Sequence, residues 1–415
     1  MSNNIKDRFK QFVAPTYGRF PLTLSSGKGS YIWDTNDKQY LDFGGGIAVN
    51  CLGHSHPEIG QTLSEQSSRL IHCSNLYHFE GQSQLAENLT KRIAPGRVFF
   101  CNSGAESSEV MIKLARRSGQ MEGRFEIITA ENSFHGRTMA GISATGQAKV
   151  KDGFAPLLQG FSHVPFNSLE AIRSSITPAT VAVMIEGVQG ESGIHPATPE
   201  YLLGLRELCN NHDLLLLWDG VQCGHFRTGS FQSFQTILSD HNSEFLPDAV
   251  GMAKSLGGGF PMGAVWISEK YAEVLSPGTH GSTFGGNPLA CAVGNKILEI
   301  IDRDNLEKNA NEIGNYLVDE LTRIQKNHKN IIKAIRGIGL MIGIEMNAEV
   351  ESFDKKIPAS IQWVSALHEA GLLTIPAGNS IVRFLPALNL KHEEAQAGIS
   401  LFEILDVTFA KAVPW

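Results

Sequence analysis

Three residues stand where short apolar runs give way to polar or glycine-rich turns: Ser103 after the run 97–101, Asp219 after 214–218, and Lys254 after 249–253. In an open parallel sheet, ligands bind beyond the carboxyl ends of the strands, so chemistry is expected from these positions. Lysines are rarely buried, and one desolvated beside an electrophile is suited to form an imine; the plainer alternative is a lysine snorkelling from a strand end. Asp219 reads either as a capping or salt-bridged acid or as the partner of a protonated heterocyclic nitrogen, because a buried carboxylate needs a cation or donors. Ser103-Gly104-Ala105 precedes a helical pattern over 106–117. Ser103 can cap that helix, and the two small residues let N–H groups approach an anion; an ordinary capped helix explains the same residues. Together the three positions offer a lysine for an imine, an acid for a pyridinium and a cradle for a phosphate, which is the set that pyridoxal phosphate requires.

The elements that must hold them follow one pattern: an apolar run, a polar or glycine-rich turn, then a helical stretch. The runs 97–101, 125–128, 180–185, 214–218 and 249–253 are nearly continuous in apolar residues. Such runs, alternating with helices, predict parallel strands buried on both faces and an α/β class. Beyond about residue 290 the texture changes to a long helical pattern over 290–321, then 338–345, a helix-like 361–370 and a strand-like 381–385. The expected organisation is therefore a large domain over 51–290 and a smaller α+β domain over 291–415. The opening segment 1–50, with a hairpin through Tyr31-Ile-Trp-Asp and Tyr40-Leu-Asp-Phe, is expected to join the smaller one.

Composition narrows the function classes. The chain has 415 residues, 42% hydrophobic and 19% charged, which is an ordinary globular balance. Its net charge of −7 gives no overall basic field for nucleic acid or anionic lipid. Glycine is enriched, at 42 residues, or about 10% against a usual figure of about 7%. The six cysteines are scattered without a Cys-x-x-Cys pair, so neither a metal site nor a disulfide framework is expected, and a reducing cytosol is. No leader or membrane span is expected either, the longest purely aliphatic run being 214–217.

The ordered motifs resemble those of the class III aminotransferases of fold type I over nearly the whole chain. They run from Tyr17-Gly-Arg19, Leu41-Asp-Phe-Gly-Gly-Gly-Ile-Ala-Val-Asn50 and Gly53-His-Ser-His-Pro57 to the segment around Arg383. Between lie Asn102-Ser-Gly-Ala-Glu106, Ser133-Phe-His-Gly-Arg-Thr138, Glu186-Gly-Val-Gln-Gly-Glu191, Asp219-Gly-Val-Gln222, Ala253-Lys-Ser-Leu-Gly-Gly-Gly-Phe-Pro261 and His280-Gly-Ser-Thr-Phe-Gly-Gly-Asn-Pro288.

The resemblance implies pyridoxal 5′-phosphate bound through an imine to Lys254, which then moves the proton at the reacting carbon. It implies that Asp219 keeps the pyridine nitrogen protonated, that Gln222 meets the 3-hydroxyl, and that Phe134 stacks on the ring. Ser103, Gly104 and Ala105 would cradle the phosphate, with Thr283 contributed by the other subunit of a homodimer. Arg137 would grip the carboxylate remote from the reacting amine, and Arg383 the α-carboxylate of glutamate; planar guanidinium suits both tasks. Glu191 would neutralise Arg383 when the substrate brings no carboxylate there. Ser282 and Tyr17 match substrate-side positions.

The implied substrates are N-acetylornithine as donor and 2-oxoglutarate as acceptor, in a ping-pong reaction serving arginine biosynthesis. Succinylornithine, ornithine and 4-aminobutyrate are the alternative donors. An aminomutase needing no acceptor, and a non-enzymatic relative, are the alternatives of other classes. Three departures from the family pattern stand out: Gly187 where proline is usual, Gly220 where glutamate is usual, and Gly224-His-Phe-Arg-Thr-Gly229 with Phe226 where glycine is usual.

Overall fold

Apolar runs long enough to be covered on both faces form the centre of the molecule: Thr180–Glu186 and Leu215–Asp219 are buried at every residue. The structure is a computed structural model that describes residues 2–409. Seven strands make the main sheet: β1 (Gly96–Cys101), β2 (Glu126–Ala130), β3 (Phe161–Val164), β4 (Thr180–Glu186), β5 (Leu215–Asp219), β6 (Ala249–Met252) and β7 (Gly263–Ser268). Their spatial order is β1-β7-β6-β5-β4-β2-β3. The pairings from β6 through β5, β4 and β2 to β3 are parallel, as expected of an α/β sheet.

The expected sheet is mostly parallel, and strand β7, which the apolar runs do not single out, is its one antiparallel member. It inserts antiparallel between β6 and β1. The stretch after Gly257-Gly-Gly259 carries no helix to reverse its direction, so the chain turns back and pairs directly, as antiparallel neighbours can. Register then sets the site: Asp219 pairs with Glu186 on one side and with Gly251 on the other. The carboxyl ends of three neighbouring strands therefore finish level with one another.

Among the described residues there are, besides this sheet, a two-stranded ribbon pairing Val188–Gln189 with His195–Pro196 and two four-stranded sheets. Leu24–Lys28, Tyr31–Asp34 and Gln39–Asp42 form the expected hairpin region, and Leu372–Leu373 joins it in parallel with Gln39–Asp42. The other combines Ile332–Ile338, Met341–Met346, Ile381–Phe384 and Ile375–Ala377. The helical pattern over 290–321 is two helices, Pro288–Arg303 and Leu306–Asn327. Asn305 breaks it in the left-handed region at φ 51°, a conformation that asparagine tolerates better than most residues. The segment 338–345 spans the end of one strand, a tight turn and most of the next.

Candidate active site

The helix Gly104–Ser118 starts directly after β1, and Ser103 caps it: its Oγ accepts from the Glu106 N–H at 3.2 Å. First-turn N–H groups at Gly104 and Ala105 have no intrahelical acceptor, so they are free to bind an anion. Gly104 is pressed against Val221, whose Cγ1 lies 2.7 Å from where a Cβ would stand. Only glycine lets the backbone come this close. Ser103, Gly104 and Ala105 line a cavity of about 360 Å³ with Phe134, Arg137, Glu186, Glu191, Asp219, Gln222 and Lys254. That volume is within the range of about 300–1,000 Å³ typical of small-molecule sites.

Asp219, 4% exposed, receives His135 Nδ1 at Oδ2 (2.8 Å) and the Val221 N–H at Oδ1 (3.1 Å). Glu186 is its neighbour in register and is itself buried; its Oε2 accepts the Phe134 N–H at 3.1 Å. Burial, followed by the Asp219 charge, pushes the Glu186 carboxyl well above the usual carboxylate range. Lys254 opens a short 3-10 turn just past β6 in the left-handed region, at φ 44°. A non-glycine residue held there stores strain, which tends to gather at functional sites. Burial, followed by the Arg383 cation, lowers the Lys254 ammonium below its ordinary value against the opposing pull of Glu191, Asp219 and Glu186.

Arg383, 1% exposed, reaches in from the strand Ile381–Phe384. Its Nη1 and Nη2 meet the two Glu191 oxygens at 2.8 and 3.3 Å, and it also donates to the carbonyls of Gly190 and Pro376. Gln222 ties into the same pair: Nε2 donates to Glu191 at 3.0 Å, and Oε1 accepts from Arg383 at 3.2 Å. Burial acts to raise the Glu191 carboxyl, but the Arg383 and Lys254 charges and these hydrogen bonds outweigh it and hold the group at about 2.

Arg383 sits behind Glu191 and does not line the cavity itself. Arg137 lies over the Phe134 ring, with Cζ 5.4 Å from the centroid, at the exposed side. Ser282 and Thr283 line a different hollow, of about 1120 Å³, together with His72, Leu76 and Phe99. Ser282 Oγ accepts from Asn102 Nδ2 at 3.2 Å, so that hollow adjoins the phosphate-side turn. Tyr17 is 75% exposed and contacts Arg19 outside the cavity.

Sequence reasoning missed Glu186 and His135. Both had a signal: Glu186 ends an apolar run just as Asp219 does, and His135 lies inside Phe-His-Gly-Arg-Thr. The cavity offers a helix start for a phosphate, a buried acid for a ring nitrogen and an amine of lowered basicity. These residues fit pyridoxal phosphate.

Comparison with known proteins agrees. Residues 12–405 match the family described as Aminotransferase class-III. The chain is 44% identical to an acetylornithine aminotransferase of Clostridium acetobutylicum, over 95% of this chain and 98% of that one. It is 40% identical to a succinylornithine transaminase of Yersinia pseudotuberculosis, covering 95% and 94%. Among solved structures it resembles the ornithine aminotransferase of Toxoplasma gondii, with a TM-score of 0.91 at 30% identity over 99% of this chain and 96% of that one.

Proposed function

The chain belongs to the class-III aminotransferases, and on that premise we propose that it transfers the terminal amine of N-acetylornithine to 2-oxoglutarate, giving N-acetylglutamate 5-semialdehyde and glutamate. Pyridoxal phosphate, when bound, supplies a carbonyl for the amine and a ring that withdraws electrons from the reacting carbon. Lys254 Nζ would be the group that holds pyridoxal phosphate at that carbonyl, and it would carry the proton at the reacting carbon. Its lowered basicity keeps more of the amine neutral, as a nucleophile must be. Asp219 is assigned to hold a proton at the ring nitrogen, with His135 fixing the carboxylate from its other side. Phe134 gives a ring face, Gln222 meets the 3-hydroxyl, and Ser103 with the Gly104 and Ala105 N–H groups orients the phosphate.

The Arg383–Glu191 pair carries the substrate assignment. A buried guanidinium already matched by a carboxylate can serve a donor that brings no carboxylate to it. It can release the same arginine to the α-carboxylate of glutamate when Glu191 withdraws. Arg137, at the exposed side, is assigned to the carboxylate that both substrates carry, and Ser282 and Tyr17 to substrate-side contacts.

A homodimer with a shared active site is part of the proposal. Leu76, Tyr77 and Phe284, beside the hollow, are 86%, 67% and 61% exposed, apolar surface that a second copy would cover. A second copy seated there would bring its Thr283 to the phosphate. We also retain 51–290 as the cofactor-binding domain beside a smaller one formed by 1–50 and 291–415, and assign the enzyme to the cytosol. Among the described residues no helix is long and apolar enough to cross a membrane, and the six cysteines are unpaired.

The second reading is succinylornithine as donor, which the likeness to the Yersinia transaminase supports. The test is a donor panel (N-acetylornithine, succinylornithine, ornithine, 4-aminobutyrate) with 2-oxoglutarate as acceptor. The highest kcat/KM is expected for N-acetylornithine, with glutamate formed mole for mole. Turnover without 2-oxoglutarate would instead identify an aminomutase.

A further inference from the structure

Two acids end neighbouring strands, and they hold the same short segment from two directions. Asp219 takes the ring of His135 at 2.8 Å, while Glu186 takes the main-chain N–H of Phe134 at 3.1 Å. The segment they grip continues through Gly136 to Arg137, so it carries both the stacking ring and the outer arginine. We propose that Glu186 is a positioning residue that works as a neutral acid: it fixes Phe134 and Arg137 over the cavity through one main-chain hydrogen bond and leaves the negative charge of the strand ends to Asp219. This rests on the aminotransferase reading, because it takes the cavity to hold pyridoxal phosphate.

The argument for neutrality is geometric first. Glu186 and Asp219 are adjacent in register, both almost wholly buried, and two carboxylates so placed cannot both ionise without a cation between them. Asp219 is met by the His135 ring and by the Val221 N–H, and would face the ring nitrogen of the cofactor. Glu186 has the backbone N–H groups of Phe134 and Gly190 instead. The charged and titratable groups around it are Asp219 from β5, Glu191 from the turn after β4, Lys254 from the turn after β6 and His135 from the gripped segment. Glu191 is already matched by Arg383. The direction of the shift at Glu186, driven by burial and then by Asp219, agrees.

A neutral carboxyl and a carboxamide are nearly the same shape, so glutamine separates the hydrogen bond from the charge. The apo forms of the wild type, Glu186→Gln and Glu186→Ala are titrated with pyridoxal phosphate, the dissociation constant is read from cofactor absorbance, and apo melting temperatures are recorded. Glu186→Ala leaves the Phe134 N–H buried and unpaired, and should weaken cofactor binding on the order of tenfold. KM for N-acetylornithine and for 2-oxoglutarate should rise together, more than kcat falls, because Arg137 travels with the segment. Glu186→Gln should return the dissociation constant to within about threefold of the wild type. A glutamine variant as weak as the alanine one would overturn the neutral acid, and an alanine variant equal to the wild type would overturn the clamp. A wild type that binds no pyridoxal phosphate would overturn the functional reading and this inference with it, so the two failures are distinguishable.

Discussion

The strand-end cavity and the hollow beside it share a wall at Asn102, yet their side chains are matched in different ways. Asn102 lines the cavity and also donates to Ser282 at the rim of the hollow. On the cavity side, buried groups are matched inside the chain: Asp219 by His135, Glu186 by the Phe134 N–H, Arg383 by Glu191. On the other side, Thr283 borders a space three times as large beside Leu76 and Tyr77, both largely open to water. Level strand ends assemble a lined cavity within one chain; the wide hollow of mixed polar and apolar lining beside it is, under the proposed function, the place that a second copy would complete. The proposed function gives the covalent and proton-moving work to the first region and would give part of cofactor retention to a contact between two copies.

The largest effect expected is at Lys254. Lys254→Ala should fold and still take up pyridoxal phosphate without a covalent link, losing the imine absorbance and several powers of ten in turnover, each worth about 1.36 kcal/mol. Wild-type-like transamination by that variant would remove the strand-end region from the chemistry.

Thr283 sharpens the other half. Thr283→Ala should weaken cofactor binding about tenfold, the loss expected for one hydrogen bond to a charged group. Dilution of the wild type to monomer should release cofactor in parallel. A monomer by light scattering that keeps its cofactor would show that the hollow is not part of the site.

The smallest effect concerns His225, whose ring packs edge-on against Phe231 with centroids 4.9 Å apart. His225 is buried, and burial, followed by the Arg92 charge, lowers its imidazole from the ordinary 6.5 to about 3. The unfolded chain therefore takes up this proton first, and stability contributed by the neutral ring is lost as pH falls from about 6.5 towards 3. His225→Asn should make stability depend less steeply on pH across that window in chemical denaturation. An unchanged slope would mean that water reaches the ring.

Much of the first region is legible in the sequence, because apolar runs announce the strands and the residue after each run falls at the sheet's carboxyl edge. Lys254 and Asp219 are found in this way before any family likeness is considered. Glu186 escapes because a glutamate at a strand end looks like any polar terminus until register sets it beside Asp219. The tie of Arg383 to Gln222 and Glu191 joins residues 161 and 192 positions apart, which no local pattern encodes.

The departures from the family pattern acquire reasons only in three dimensions. Where a Cβ at Gly187 would stand, Trp218 Cζ2 is 2.3 Å away; for Gly220 the obstacle is Gln232 Oε1, also at 2.3 Å. Larger neighbours have taken the room of the usual proline and glutamate. Phe226 accepts a left-handed φ of 63° and packs its ring 5.5 Å from that of Phe231, so aromatic burial offsets the backbone strain.

The switch between substrates is the central claim, and single-turnover kinetics of the two half-reactions in Glu191→Ala test it most directly. With N-acetylornithine bound, Arg383 would lose its carboxylate partner Glu191 in that variant, and an unmatched buried charge costs roughly 3–5 kcal/mol. Amine transfer from N-acetylornithine should therefore slow by at least about a hundredfold, at about 1.4 kcal/mol per tenfold, while transfer from glutamate, which brings its own carboxylate to Arg383, is spared. Arg383→Ala should reverse the pattern. Equal losses in both half-reactions for Glu191→Ala would contradict the account and leave Glu191 a purely structural partner of Arg383.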